Sequence, residues 1–225
     1  DGTGYGTDGA IWGCEVLVGD EAGFERVGHL RYFRLVGGDQ AAKETWRPAA
    51  GLLHDTFGAD WRKAAEPLLS QVDGEALDVV ERRLAAGSRL PLTSSLGRLF
   101  DAVAFLTGLC AYNRYEAEAA MSLEAVARAS QPAAPLAYAL EKAEDKSVAA
   151  MCDFRPMIRD LLDRLAGGES PAQLARAFHE TIVAMLADVV ENAAAETGVT
   201  CAVLSGGCFA NRLLLELLVE RLAAR

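Results

Sequence analysis

Histidine is scarce in this sequence, with three in 225 residues, and none of them (His29, His54, His179) stands at H-x-x-x-H spacing. That spacing speaks against a metal site built from the chain's own histidines. The five cysteines (Cys14, Cys110, Cys152, Cys201, Cys208) include no C-x-x-C pair. A disulfide framework and a thiolate zinc site are therefore not expected, and a reducing compartment is. Positive charge is short as well: 22 Lys and Arg face 32 Asp and Glu, a formal charge of −10. A nucleic-acid surface needs clustered cations to replace counterions, so that class is set aside, while a local cationic pocket for a phosphate is not. No signal peptide is visible, and no apolar run reaches the roughly 20 residues that span a bilayer. The expectation is a cytoplasmic protein that binds neither nucleic acid nor membrane. A Walker A loop, a G-x-S-x-G elbow and a Cys–His pairing are also missing. The first residue is Asp rather than Met, and the chain opens inside what reads as a strand-ending turn, which points to a piece of a longer polypeptide.

What is present is a globular composition, 51% hydrophobic and 24% charged, rich enough in Ala and Leu that helices should outnumber strands. The opening Asp1-Gly2-Thr3-Gly4-Tyr5-Gly6-Thr7-Asp8-Gly9 reads as a tight glycine turn between strands. Strand-forming residues follow at 11–18, a hairpin signal at 19–23, and a second strand over 24–35. From Asp39 the period turns helical. One helix is expected from Gln40 to about Phe57, kinked or divided by Pro48, and others over 74–86, 96–109, 115–128 and 172–196, with caps at Thr93-Ser94-Ser95 and at Ser170-Pro171. Residues 130–135 read as loop, and 145–156 resist assignment. Thr200–Leu204 reads as a short buried strand that runs through Ser205-Gly206-Gly207 into a helix from Asn211 to Ala224. The organisation is a strand-rich start (1–36), a helical middle (39–198) and a closing βα unit (200–225).

Five constellations could carry chemistry. A strand running into Ser-Gly-Gly and a helix gathers backbone N–H groups at one spot, as a phosphate or ribose requires, with Asn211 one turn on; alternatively, Gly206 and Gly207 only let the helix pack closely. The Asp1-Gly2-x-Gly4-x-Gly6 turn has the form of a phosphate hairpin with a metal-holding acid, or of an ordinary β-turn. In Gly37-Gly38-Asp39-Gln40-Ala41-Ala42-Lys43-Glu44-Thr45-Trp46-Arg47, an Asp39 cap would place Lys43 and Arg47 on one helix face, suited to a phosphate or a developing oxyanion or simply solvated. Arg98 and Asp101 are i,i+3 neighbours. Gly97 beside them costs about 1 kcal/mol against Ala in a helix and asks for a reason. Glu116 and Glu118, two apart, do not share a helix face, so one of them at most faces a site. His179, beside Phe178 on a long helix, reads as a hydrogen-bonded core residue rather than a base.

In their order these blocks resemble the HypF carbamoyltransferase family. The resemblance is carried by Asp1-Gly2-x-Gly4-x-Gly6 with Trp12-Gly13-x-Glu15, by Gly37-Gly38-Asp39-x-Ala41-Ala42-Lys43-x-x-Trp46-Arg47, by Thr93-Ser94-Ser95-x-Gly97-Arg98-Leu99-Phe100-Asp101-Ala102-Val103-Ala104, by Tyr115-Glu116-x-Glu118-Ala119-Ala120, and by Leu204-Ser205-Gly206-Gly207-x-Phe209-x-Asn211-Arg212-Leu213-Leu214. Cys14 stands where the family has a second glycine after Trp-Gly, and Ala117 where it has the glycine of Tyr-Glu-Gly; both are small.

The resemblance implies an α/β protein of the actin-like ATPase (ASKHA) fold, with mixed sheets and a large helical part, similar to the tRNA threonylcarbamoyl-transferase proteins and here truncated at both ends. It implies carbamoyl-adenylate chemistry, in which carbamoyl phosphate and ATP yield carbamoyl-AMP on a neighbouring domain. This domain then passes the carbamoyl group to the C-terminal cysteine of the partner HypE, on the way to the cyanide ligands of NiFe hydrogenase. Carried over by position, Asp1 is a metal ligand, and Asp101, Gly206, Gly207 and Asn211 contact adenosine; Gly2, Gly4, Asp39 and Glu116 complete the nucleotide-binding set. Lys43, Arg47 and Arg98 are the catalytic candidates near phosphate or carbamoyl, on charge alone. A divalent metal (iron, zinc or magnesium) belongs to the intact domain, with a histidine motif expected before Asp1 and a Gly-Asp-Gly-Gly motif after Arg225. The 225-residue chain is therefore expected to hold metal poorly and to be inactive alone. A small-molecule O-carbamoyltransferase of the same fold and a non-catalytic nucleotide-binding module are the alternatives.

Overall fold

The computed structural model describes residues 4–87, 90–141 and 150–224. The described part of the glycine-rich opening is a hairpin of β1 (Gly4–Tyr5) and β2 (Ile11–Trp12). The chain then changes sheets. β3 (Glu15–Asp20) and β4 (Gly23–Leu30) form the expected hairpin in a second sheet, and β5 (Phe33–Arg34) returns to the first. The continuous strands expected at 11–18 and 24–35 are thus each divided. Glu15 causes the first break: its carboxylate takes the N–H groups of Gly13 and Cys14 at 3.1 and 3.3 Å. In the second case Leu30 and Phe33 are both buried in one core. Residues three apart point to opposite faces of a single strand, so the chain must turn between them.

A 3-10 turn (Gly38–Ala42) leads to α1 (Trp46–Phe57), followed by the short α2 (Trp61–Ala64) and α3 (Glu66–Leu69) and by α4 (Gly74–Ala86). β6 (Leu92–Thr93), α5 (Leu96–Leu106), α6 (Glu118–Arg128), β7 (Ala139–Glu141) and β8 (Ala150–Asp153) come next. The chain closes with α7 (Arg155–Ala166), α8 (Pro171–Thr197), a 3-10 turn (Gly207–Ala210) and α9 (Arg212–Ala223). Two mixed sheets result, in the orders β1-β2-β6-β5 and β3-β4-β8-β7. The middle of the chain is therefore not purely helical, since β6, β7 and β8 complete the sheets begun near the N-terminus.

Helix α1 is shorter than the expected 40–57. It starts at Trp46, which leaves Pro48 in the first turn, where a missing N–H costs nothing and no kink arises. Helices α5 and α6 are shorter too: α5 stops at Leu106 rather than 109, and α6 begins at Glu118 rather than Tyr115. Ser95 and Asp73 cap α5 and α4, and Ser170 with Gln173 forms a capping box on α8. One core joins α1, α5, α6, α8 and α9 to the sheets, with Phe100 edge-on to Phe178 at 4.8 Å. Each such buried ring or Leu contributes about 2 kcal/mol by transfer from water. Gly51 lets α1 lie directly on β5, because a Cβ there would sit 2.0 Å from the Arg34 carbonyl oxygen.

The buried strand expected at 200–204 is not formed. Among the described residues no strand pairs with it, and Val203 is 84% exposed. A strand exists by its ladder, so strand-forming residues without a neighbour stay extended and solvated. The helix of that unit is present as α9, so the closing βα unit keeps its turn and helix but not its strand.

Candidate functional site

The N-terminal end of α5 is the centre of a buried polar belt. Asp101, 2% exposed, pairs with Arg98 one turn earlier at 2.9 Å. The pair is an ion contact rather than an aligned hydrogen bond, because Asp101 Oδ2 has no hydrogen-bond partner of proper geometry. Arg98 also donates to the Ala41 carbonyl at 3.3 Å, which ties α5 to the Gly38–Ala42 turn. Burial raises the Asp101 carboxyl above its usual range, against the opposing effects of Arg98 and of a hydrogen bond from Asn113. Cys208, in the Gly207–Ala210 turn, lies in the field of both Arg98 and Asp101, and burial pushes its thiol up to about 11. The Gly207–Ala210 turn and the head of α5 are therefore within electrostatic reach of one another.

Gly206 has φ 107°, a conformation that favours glycine, and it starts the turn. Gly207 is exposed, and a Cβ on it would meet nothing within 4 Å. Close helix packing is thus not the reason for Gly207, and the space before it is open. Asn211 is buried and caps α9 by accepting from Leu214 N–H at 2.9 Å. Its Nδ2 donates to Nε2 of His179, whose Nδ1 in turn bonds the Ala175 carbonyl at 2.7 Å. Burial lowers the His179 pKa to about 4, so the ring is neutral at physiological pH. As the sequence suggested, it is a hydrogen-bonded core residue and no base.

The cationic helix face expected from Lys43 and Arg47 is not formed. Helical geometry lapses between Ala42 and Trp46, so the i,i+4 argument does not apply. Lys43 is exposed and has no ion pair among the described residues. Arg47 bonds Glu44 at 2.7 Å, stacks on Trp46 and lies against Gly37. Asp39 is exposed in the first turn and caps nothing; the cap position is Gly37. Glu116 is exposed on the connection before α6, while Glu118 is buried and bonds Arg114. Gly4 is exposed in β1. Asp1 and Gly2 lie outside the described residues. The structure therefore joins Arg98 to Asp101, sets Cys208 of the glycine turn in their field, ties Asn211 to α5 through His179 and Phe100, and keeps Lys43 at the margin through Ala41 and Ala42.

Two features escaped the sequence reading. Asn113, buried before α6, donates to Asp101 Oδ1 at 3.0 Å and to the Ala42 carbonyl at 2.9 Å, and accepts from Ala119 N–H at 2.8 Å. Nothing in its own neighbourhood signals this, because two of these partners are far away in sequence. The other feature is Arg26, held over the rings of Trp12 and Tyr32 at 4.2 and 5.3 Å and paired with Asp8 and Glu15. Asp8 also accepts from Trp12 Nε1 at 2.9 Å and from Tyr32, and Glu15 from the Ser94 hydroxyl. This cluster fastens the glycine hairpin to the head of α5. Its signal was the Trp12-Gly13-x-Glu15 block, which shows the partners of Arg26 but not Arg26 itself.

Residues 1–225 match the family model described as the carbamoyltransferase Kae1-like domain, second subdomain. The chain belongs to the HypF carbamoyltransferase family. It is 36% identical over 253 residues to the carbamoyltransferase HypF2 of Cupriavidus necator, covering all of this chain and 30% of that protein. It is likewise 36% identical over 225 residues to the carbamoyltransferase HypF of Rhizobium leguminosarum, covering all of this chain and 28% of the other. Among solved structures, full-length HypF in a phosphate- and nucleotide-bound form matches with a TM-score of 0.90 and 34% identity, over 100% of this chain and 28% of that one. HypF of T. kodakarensis matches with a TM-score of 0.86 and 29% identity, over 100% and 29%. The chain thus spans about three-tenths of the length of these relatives. The likeness establishes the Kae1-like fold anticipated from the sequence as an actin-like ATPase architecture.

Proposed function

We propose that these residues form the adenosine-facing side of a carbamoyl-transfer site. The polypeptide that carries them moves a carbamoyl group from carbamoyl-adenylate, made from ATP and carbamoyl phosphate, to the C-terminal cysteine of a HypE-like acceptor in NiFe hydrogenase maturation. One observation carries the reading. The exposed Gly207 opens a turn whose Cys208 lies in the field of Arg98 and Asp101, which puts backbone donors, a cation and a carboxylate in one neighbourhood, as a nucleotide requires. The likeness to a nucleotide-bound HypF supports it.

In this reading Gly206 and Gly207 present backbone to the adenosine, while Asn211 holds their turn against α8. Asp101 and Glu116 contact the nucleoside. Lys43 and Arg98 face the phosphate, which takes up negative charge as AMP leaves; Gly2, Gly4 and Asp39 line the same side, and Arg47 steadies the turn. The acceptor thiolate attacks the carbamoyl carbon, a C–S bond forms, and the bond from that carbon to the phosphate oxygen breaks. The thiol proton passes to solvent.

A divalent cation at Asp1 is part of the same expectation. Among the described residues no group of three or more His, Cys, Asp or Glu side chains is arranged to hold one. The test uses the complete polypeptide containing these residues with ATP, carbamoyl phosphate and a peptide bearing the HypE C-terminal cysteine. AMP release that requires carbamoyl phosphate, with thiocarboxamide on the cysteine, is expected. Carbamoylation of a sugar hydroxyl instead would assign the site to small-molecule transfer. AMP release independent of carbamoyl phosphate would sink both.

A further inference from the structure

Asn113 is the most fully engaged polar side chain in the belt. Its amide nitrogen spends one hydrogen on Asp101 Oδ1 at 3.0 Å and the other on the Ala42 carbonyl at 2.9 Å. Its amide oxygen accepts from Ala119 N–H at 2.8 Å, and its own backbone N–H donates to the Lys43 carbonyl at 2.7 Å. These partners lie in three separate segments: the turn 38–43, helix α5 and the start of α6. The donor and acceptor pattern allows only one orientation of the amide, because a flipped amide would set oxygen against oxygen at both Asp101 and Ala42.

Resting on the nucleotide reading above, we propose that Asn113 is a positioning residue. It fixes the rotation of the Asp101 carboxylate and locks the 108–117 connection onto the Lys43 turn, so that carboxylate and cation are held ready for the nucleoside and its phosphate. The need for such a clamp follows from the geometry at Oδ2, where Arg98 supplies charge at 2.9 Å but no aligned hydrogen bond. Charge alone leaves a carboxylate free to rotate, whereas a directional donor on Oδ1 does not. The nearby thiols of Cys110 and Cys208 also lie in the field of Asp101; burial raises both, so they stay uncharged wherever a carboxylate titrates. Among the described residues, Arg98 is then the one charged group acting directly on Asp101, and Asn113 the one neutral donor.

The test follows the Asp101 carboxyl by 13C NMR across pH in the 225-residue chain without ligand, and then AMP affinity, in wild type, Asn113→Ala and Asn113→Asp. The Asp variant keeps the acceptor that Ala119 needs and serves if the Ala variant does not fold. The Asp101 midpoint should rise by about one pH unit in Asn113→Ala and further in Asn113→Asp, where a second carboxylate faces it. AMP affinity should fall roughly ten-fold, as for a lost hydrogen bond to a charged group. An unmoved midpoint in both variants overturns the proposal, and so does a moved midpoint with undiminished AMP affinity. If wild type itself binds no AMP while the midpoint moves, the nucleotide reading falls and the hold of Asn113 on Asp101 stands.

Discussion

Asn211 Nδ2 lies 2.9 Å from His179 Nε2, and the same Asn211 side chain caps α9. One residue thereby satisfies a buried imidazole and starts a helix. With Nδ1–H given to Ala175, His179 must be neutral to accept from Asn211. Its folded pKa is lowered from 6.5 to about 4. As pH falls below 6.5 the unfolded chain takes up a proton that the native state refuses. Stability is then lost progressively until about pH 4, by about 3 kcal/mol at most. Urea denaturation across that window should show a smaller loss in His179→Gln than in wild type, the remainder coming from groups such as His29, whose pKa burial also lowers.

Asn211→Ala removes the cap and orphans a buried ring nitrogen. The sum should be about 3 kcal/mol, roughly one for the cap and the rest for the unsatisfied group. Thermal melts that show a change below about 1 kcal/mol would contradict the arrangement.

Ala117 is the one non-glycine residue with positive φ among those described, at 61°. A left-handed conformation costs an L-residue about 1–2 kcal/mol, which glycine avoids at some cost in entropy. Ala117→Gly should therefore raise stability by about 1 kcal/mol, read from the denaturation midpoint. The left-handed residue lets the connection turn sharply enough for Glu118 to reach back to Arg114.

Gly51→Ala should do the opposite. Ala is the better helix former by about 1 kcal/mol, yet its methyl would fall 2.0 Å from the Arg34 carbonyl. Overpacking of that kind costs about 1–3 kcal/mol, so a net loss is expected. A stabilised variant would show that α1 does not lie on β5 as described.

Much of this was legible in advance, and the reasons differ by element. The β3–β4 hairpin, α4, the Ser95 cap and the Ser170 cap could be read locally, because a turn signal or a cap sits beside the residues it organises. The strand breaks could not, because they come from Glu15 capturing backbone and from one core claiming both Leu30 and Phe33. Helix α7 was missed: its sequence is heavily charged (Arg155, Arg159, Asp160, Asp163, Arg164), and only Met157, Ile158 and Leu161 are buried. In the site, Arg98 and Asp101 were visible as i,i+3 neighbours, but the supposed Lys43–Arg47 face assumed a helix that lapses. Asn113 was invisible because its meaning lies in Asp101 and Ala42, which only the fold brings near. The family was legible from the order of its blocks, each of which is weak alone.

The proposed nucleotide-facing surface joins Arg98, Asp101 and the Gly206–Asn211 turn. It is tested most directly by mapping amide shift changes on the chain as AMP is titrated in. Changes concentrated at residues 98–101, 113 and 206–211, and weakened in Asp101→Asn, are the predicted result. Saturable binding that perturbs other residues and leaves these unmoved would contradict it.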